Sequence, residues 1–135
     1  MVAAAFLSSA ISGENTPEIG GKAPKIETIE GINVVADANS AGKEKIVSFW
    51  SPKKAASRIN NMKLSHAAGE NVEFISICTD SDEALMQQVM KIDGVNADKV
   101  YSAGELSSRV FKDYDVEESP RAFRISSEGK ILEVI

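Results

Sequence analysis

KIVSFWSPKKAASRINN, residues 45–61, is the stretch that decides the fold. Its first part, Lys45 to Trp50, is apolar and β-branched, the pattern of a buried strand. The second part reads as a helix beginning near Pro52, because proline fits the first helical turn, where its missing N–H is not needed. A strand whose carboxyl end meets a helix N-terminus is a common place for chemistry in an α/β protein. The helix dipole and the unpaired N–H groups there favour a thiolate or another anion. Along the helix, Ala55, Ile59, Met62 and His66 repeat at i, i+4, i+7 and i+11, which predicts one buried stripe with His66 on or beside it.

The chain around this stretch has 135 residues, enough for one domain with a sizeable core. A net charge of −5 argues against general nucleic-acid binding, which needs a basic surface. Cys78 is the one cysteine, so the chain cannot close an internal disulfide, carry a CxxC pair or build a thiolate zinc site. His66 is the one histidine, which removes most histidine metal sites and most histidine-assisted nucleophiles. No metal and no cofactor is therefore expected. Residues 2–11, VAAAFLSSAI, fall short of the about 20 residues that span a bilayer. They look like the end of a secretory signal, although no Lys or Arg precedes them. Residues 1–19 are read as a signal remnant or flexible tail, and 20–135 as the domain.

Residues 12–24, SGENTPEIGGKAP, are polar and rich in Gly and Pro, an extended lead-in. Ile26 and Ile29, then 32–35 after Glu30-Gly31, predict a short hairpin, and 38–44 a loop. Residues 71–79, NVEFISICT, predict a second central strand. Asp80 then opens a helix to about Asp93, with Glu83 as its capping-box partner, Leu85, Val89 and Ile92 buried, and Gly94 as its stop. Val100 and Tyr101 form a short strand, and Leu106, Val110, Phe111 and Tyr114 mark another amphipathic helix. Residues 126–130, SSEGK, are a turn with Gly129 at positive φ, leading into a last strand, 131–135.

Three features in this order resemble thioredoxin-fold proteins, in particular the exported TlpA/ResA-type thiol–disulfide oxidoreductases and the peroxiredoxin-like group. They are Phe49-Trp50 before a helix, Pro120 with Phe123 in VEESPRAFRI, and the Glu128-Gly129-Lys130 turn. The entry GGKAP at 20–24 is also similar. The resemblance covers residues 20–135. It implies an α/β domain with a mixed central sheet flanked by helices, an N-terminal hairpin extension, a cis Pro120 facing the site, and an extracytoplasmic, periplasmic location. Two departures stand out. The family's W-C-x-x-C motif falls on Lys54-Ala55-Ala56-Ser57, so Lys54 and Ser57 occupy the cysteine positions and cannot form a disulfide. The family also ends in a further helix where this sequence reaches Ile135, which predicts an apolar sheet face left partly open, to be covered by the N-terminal tail or a second copy.

Lys54 and Ser57 share a helix face at i, i+3, the spacing of a Ser–Lys nucleophile pair. The plainer reading, a fold that lost its cysteines, is preferred because no oxyanion hole is visible in the sequence. Lys53, Lys54, Arg58 and Arg121 suggest a small basic patch, set against simple solubilising charge. Cys78, in a hydrophobic strand, reads as a core thiol whose burial suppresses reactivity. Asp80, Asp82 and Glu83 read as helix-start charges rather than metal ligands.

The resulting expectation is a redox-inactive thioredoxin-fold module rather than an enzyme. It would bind a peptide or protein at Trp50, Ser51, Pro52, Lys53, Lys54, Ser119, Pro120 and Arg121, where an extended chain could hydrogen-bond to the sheet edge. The alternative is a thiol–disulfide oxidoreductase or peroxiredoxin-like enzyme with single-cysteine chemistry at Cys78.

Overall fold

The computed structural model describes residues 16–36 and 42–135. Strand β1, Glu44–Trp50, is the middle of a five-stranded mixed sheet of order β3-β2-β1-β4-β5. Strand β2, Val72–Cys78, runs parallel to it, and Trp50 sits opposite Cys78. Strand β3, Lys99–Ser102, extends the parallel side. On the other side β4, Ala122–Ile125, and β5, Ile131–Val134, are antiparallel. Helix α1, Ala55–Ala67, follows β1; α2, Glu83–Asp93, follows β2; the short α3, Arg109–Asp113, precedes β4. The β-α-β-α-β-α-β-β order expected from the sequence is the order observed.

Alternation along the strands splits the core in two. On one face Val47, Phe49, Ile75, Ile77, Phe123 and Ile125 pack with Ile26 and Val34 from the N-terminal segment and with Val110 and Tyr114. Phe49 and Tyr114 are 5.2 Å apart, and Tyr114 and Phe123 meet edge-on at 5.0 Å. On the other face Trp50 and Cys78 pack with Met86, Val89 and Met90 of α2.

Helix α1 begins at Ala55, three residues later than the proline suggested. Ser51 to Lys54 first close a turn, with the Lys54 N–H donating to the Ser51 carbonyl at 3.1 Å. The apolar stripe of α1 exists but faces outward. Ile59 is 48% exposed, His66 is exposed, and Ser57, Asn61 and Ser65 are the buried residues. The cause lies in the sheet below. The Trp50 indole N–H donates to Ser76 Oγ at 2.9 Å, and that hydroxyl donates to Asn61 Oδ1 at 3.1 Å. A buried indole and hydroxyl require partners, so a small polar helix face covers them.

Helix α2 is capped by Asp82, which accepts from the Leu85 N–H at 3.0 Å, and not by Asp80. Its buried face is Met86, Val89 and Met90, with Ile92 70% exposed. Val89 is common to both faces, and the inward places go to Met86 and Met90, which pack with Trp50 and Cys78 of the sheet. Gly94, at φ 67°, is the stop expected. The predicted helix over Leu106–Tyr114 is helical only in α3. Ahead of α3, Ser102 and Glu105 form a capping box on a 3-10 turn, Ala103–Glu105, and Leu106 bridges to Thr28. Leu106, Val110, Phe111 and Tyr114 are nonetheless all buried. The N-terminal hairpin reduces to one bridge, Glu27 with Asn33, followed by the 3-10 turn Val34–Ala36. Gly129 has the positive φ, 87°, that its turn requires.

The sheet face expected to be apolar and open carries charge across β1, β4 and β5. Arg124 is exposed and bonds Glu44 of β1 at 2.8 Å, with Glu133 of β5 at 3.9 Å. Leu132 and Ile135 are the apolar side chains left exposed on and after β5. Among the described residues no helix is long and apolar enough to cross a membrane. The stretch 2–11 and most of the 38–44 loop lie outside the described residues.

The Tyr114 hydroxyl donates to the Pro24 carbonyl at 2.6 Å and is buried, which pushes its pKa upward, with Asp113 adding to the shift. Tyr114→Phe is expected to lower stability by about 1–2 kcal/mol in urea unfolding, with an unchanged m-value, because it orphans that carbonyl.

Candidate functional site

The site proposed from the sequence lies at the carboxyl end of β1, where the turn 51–54 faces the loop 116–121. Ser57 holds the turn together. Its Oγ accepts from the Ser51 N–H at 2.9 Å and donates to the Lys54 carbonyl at 2.7 Å, with the Ser51 carbonyl also within reach at 3.2 Å. The Ser51 hydroxyl accepts in turn from the Lys53 N–H at 3.2 Å. Ser57 is buried, and its hydrogen-bonding capacity is committed to backbone groups.

Lys54 points elsewhere. Its ammonium crosses the cleft and donates to the Glu118 carbonyl. Lys54 and Ser57 therefore do not form a lysine-activated serine. One closes the turn beneath the site and the other ties its two loops together.

The basic patch resolves into separate contacts. Lys53 lies 4.0 Å from Asp80 and is largely exposed, an arrangement worth little. Arg58 is bidentate on Asp93, at 2.7 and 3.1 Å, and the hydrogen bond to that carboxylate raises its pKa. Arg121 donates from Nε to the Ser119 carbonyl at 3.1 Å and from Nη1 to Thr16 Oγ1 at 3.4 Å. The four cations therefore answer to different partners. Asp80 accepts from the Asp82 N–H at 2.9 Å, so these carboxylates shape the start of α2, as read from the sequence.

Trp50, expected both in a buried strand and in the binding set, is 1% exposed and packs with Cys78 and Met86. Ser51 is buried as well, whereas Lys53, Lys54 and Ser119 are exposed and Pro52, Pro120 and Arg121 half-buried. No cis peptide bond occurs among the described residues, so the bond before Pro120 is trans, contrary to the expectation. Trans is the intrinsic preference of an X–Pro bond, and Ser119 and Glu118 turn their carbonyls to Arg121 and Lys54 in that geometry.

Cys78 ends β2 beside Trp50 and is fully buried. Loss of solvation pushes its thiol up to about 11, with the backbone contact at Asp80 opposing and the Asp80 and Asp82 charges adding to the rise. This opposes thiolate chemistry at neutral pH. Residues missed in the sequence reading are Asn61 and Ser76 behind Trp50, Glu118 opposite Lys54, and Thr16 with Asp115 beside Arg121. Only the capping box had a local signal, the S-x-x-E spacing of Ser102 and Glu105.

No family model matches the sequence, and no curated protein matches it. Solved structures do match. A thioredoxin-like protein from Parabacteroides distasonis is 24% identical, with a TM-score of 0.72 and 88% of each chain covered. A thiol:disulfide interchange protein from a Bacteroides species is 20% identical at a TM-score of 0.66, covering 87% of this chain and 81% of that one. A secreted disulfide oxidoreductase from Mycobacterium tuberculosis is 21% identical at a TM-score of 0.60, covering 83% and 81%. The fold is thioredoxin-like, as the sequence implied, and the proteins that share it here are named as thioredoxin-like proteins and thiol–disulfide oxidoreductases.

Two outcomes follow from the geometry. Ser57→Ala is expected to cost about 1–2 kcal/mol in denaturant unfolding, since the Ser51 N–H loses its acceptor inside the turn. Native Cys78 should react with iodoacetamide at pH 7.5 at least about 100-fold more slowly than in the unfolded chain, from the raised pKa alone. The sign also fixes an alkaline limit. The folded thiol holds its proton more tightly, so its contribution to stability is full below the ordinary value of 9.0 and is lost as pH rises toward about 11. Chemical denaturation between those pH values, with Cys78→Ala as reference, measures it.

Proposed function

We propose that this protein is a thioredoxin-fold module that binds an extended polypeptide segment and does not exchange thiols with it. The binding surface is the exposed rim formed by Pro52, Lys53 and Lys54 on one side and Ser119, Pro120 and Arg121 on the other. The observation that carries the reading is the fate of the two cysteine-equivalent side chains. Ser57 is spent on the Ser51–Lys54 turn, and Lys54 on the Glu118 carbonyl. Cys78 is sealed beneath Trp50 and is no substitute. Two of the structures that share the fold are named a thiol:disulfide interchange protein and a disulfide oxidoreductase, and a polypeptide ligand is part of this proposal. Lys54 holds the Glu118 carbonyl of the opposite loop and Arg121 the Ser119 carbonyl of its own, both neutral acceptors. An incoming chain can exchange for both contacts without leaving a buried charge unpaired. One structural neighbour is named as secreted, and an extracytoplasmic location is part of this proposal.

The test has two arms. In a dithiothreitol-driven assay of protein-disulfide reduction, the protein should give the uncatalysed rate, and Cys78→Ser should change nothing. Turnover that disappears in Cys78→Ser would overturn the reading. Lys54→Cys/Ser57→Cys should acquire a vicinal disulfide and raise the rate by about tenfold or more, since the helix start lowers a thiol's pKa. In the second arm, a reduced and carboxymethylated unfolded polypeptide is titrated into the labelled protein. Amide shifts confined to 51–54 and 118–122 are expected, and shifts elsewhere or none would reject the rim as the binding surface.

A further inference from the structure

The segment 16–24 is bound to the domain over 20–24 and again at Thr16, and the bond at Thr16 falls on the candidate site. Gly20 N–H donates to the Ile131 carbonyl at 2.7 Å, Ile131 N–H to the Gly21 carbonyl at 2.9 Å, and Ala23 N–H to the Gly129 carbonyl at 2.8 Å. Lys22 bridges Lys130 in antiparallel sense. This covers the outer edge of β5 at its start, an edge that would otherwise offer unpaired backbone groups. Gly20, at φ 88°, then turns the chain, and the Gly21 N–H donates to the Glu18 carbonyl at 3.0 Å.

Beyond that turn lies Thr16. Its hydroxyl donates to Asp115 Oδ2 at 2.7 Å and accepts from Arg121 Nη1 at 3.4 Å. Asp115 and Arg121 are the two ends of the loop 116–120. Asp115 stands at φ 55°, a left-handed conformation that aspartate tolerates better than most side chains. One hydroxyl thus joins the N-terminal strap to both ends of the loop that forms half of the rim. Arg121, whose Nε holds the Ser119 carbonyl, is drawn to the strap side by the same contact.

We propose that Thr16 is a clasp. It holds the strap 16–24 closed against the base of the 116–120 loop, and its release loosens the hold on that loop so that the rim can accept a polypeptide. The regulatory half rests on the binding reading above. The clasp itself rests only on these contacts. A charge-assisted bond from a single hydroxyl is strong enough to bias the strap and weak enough to be exchanged.

The test compares wild type, Thr16→Val and Thr16→Ser as full chains. Thr16→Val keeps the shape and removes the hydroxyl. Hydrogen exchange at Gly20, Gly21 and Ala23 should quicken by about tenfold in Thr16→Val and return in Thr16→Ser, with Val47 and Ile75 unchanged. The carboxymethylated unfolded polypeptide should bind Thr16→Val severalfold more tightly than wild type. Unchanged exchange over 16–24 overturns the clasp. Faster exchange with equal affinity overturns its control of the site. Absence of binding to all three proteins rejects the peptide-site reading, and the regulatory half with it, while the exchange rates still decide the clasp.

Discussion

Strand β1 is hydrogen-bonded on both sides and covered on both faces, and the rest of the molecule answers to that burial. Its N–H and C=O groups go to β2 and β4. Its side chains go alternately to two different cores. At its carboxyl end this leaves a sharp problem. The chain must leave the sheet, turn, and start α1 without stranding polar groups in a dry interior. Trp50 brings an indole N–H into that space, and Ser51 brings a backbone N–H. Ser76 with Asn61 satisfies the first, and Ser57 the second. A buried donor without an acceptor would cost about 1–3 kcal/mol each time, so these partners are part of the fold.

The same solution commits the hydrogen-bonding groups at the helix start. A helix N-terminus following a central strand stabilises an anion, which is its value to a thiolate. Here the first of the two relevant positions is a lysine. A cation at that end is disfavoured by the dipole, and Lys54 moves its charge away across the cleft to the Glu118 carbonyl. The second is a serine that has become a turn fastener. The cleft remains, and its walls are held by hydrogen bonds where a disulfide chemistry would need them free. Cys78 lies one strand away under Trp50, where low polarity favours the neutral thiol.

The outer parts of the domain are fitted to the same centre. The aromatic cluster of Phe49, Tyr114 and Phe123 seals one face, and the Tyr114 hydroxyl reaches Pro24 to fix the N-terminal segment. That segment protects the β5 edge and ends at Asp115 and Arg121. The site's second loop is therefore bounded by a piece of chain about a hundred residues away in sequence. Contacts of that kind give a site its shape and leave it adjustable, because each is a single exposed or half-buried hydrogen bond.

The sequence alone determined the strands, their order with the helices, the stop at Gly94, the turn at Gly129, and that Lys54 and Ser57, not cysteines, stand at the start of the helix. These rest on local chemistry: β-branched runs, a positive-φ glycine, and residue identity at a fixed spacing. It also marked Leu106, Val110, Phe111 and Tyr114 as core. What only the tertiary structure decided was direction. The apolar stripe of Ala55, Ile59 and Met62 was legible, but which side of α1 met the sheet depended on the hydroxyls and indole beneath it, which lie in other strands. The face of α2 turned toward Met86 and Met90 because those side chains meet Trp50 and Cys78 of other strands. Pro120 took the trans bond, and Trp50 went inside. The partners of Lys54, Arg121 and Thr16 come from segments far away in sequence, and periodicity carries no record of contacts at that range.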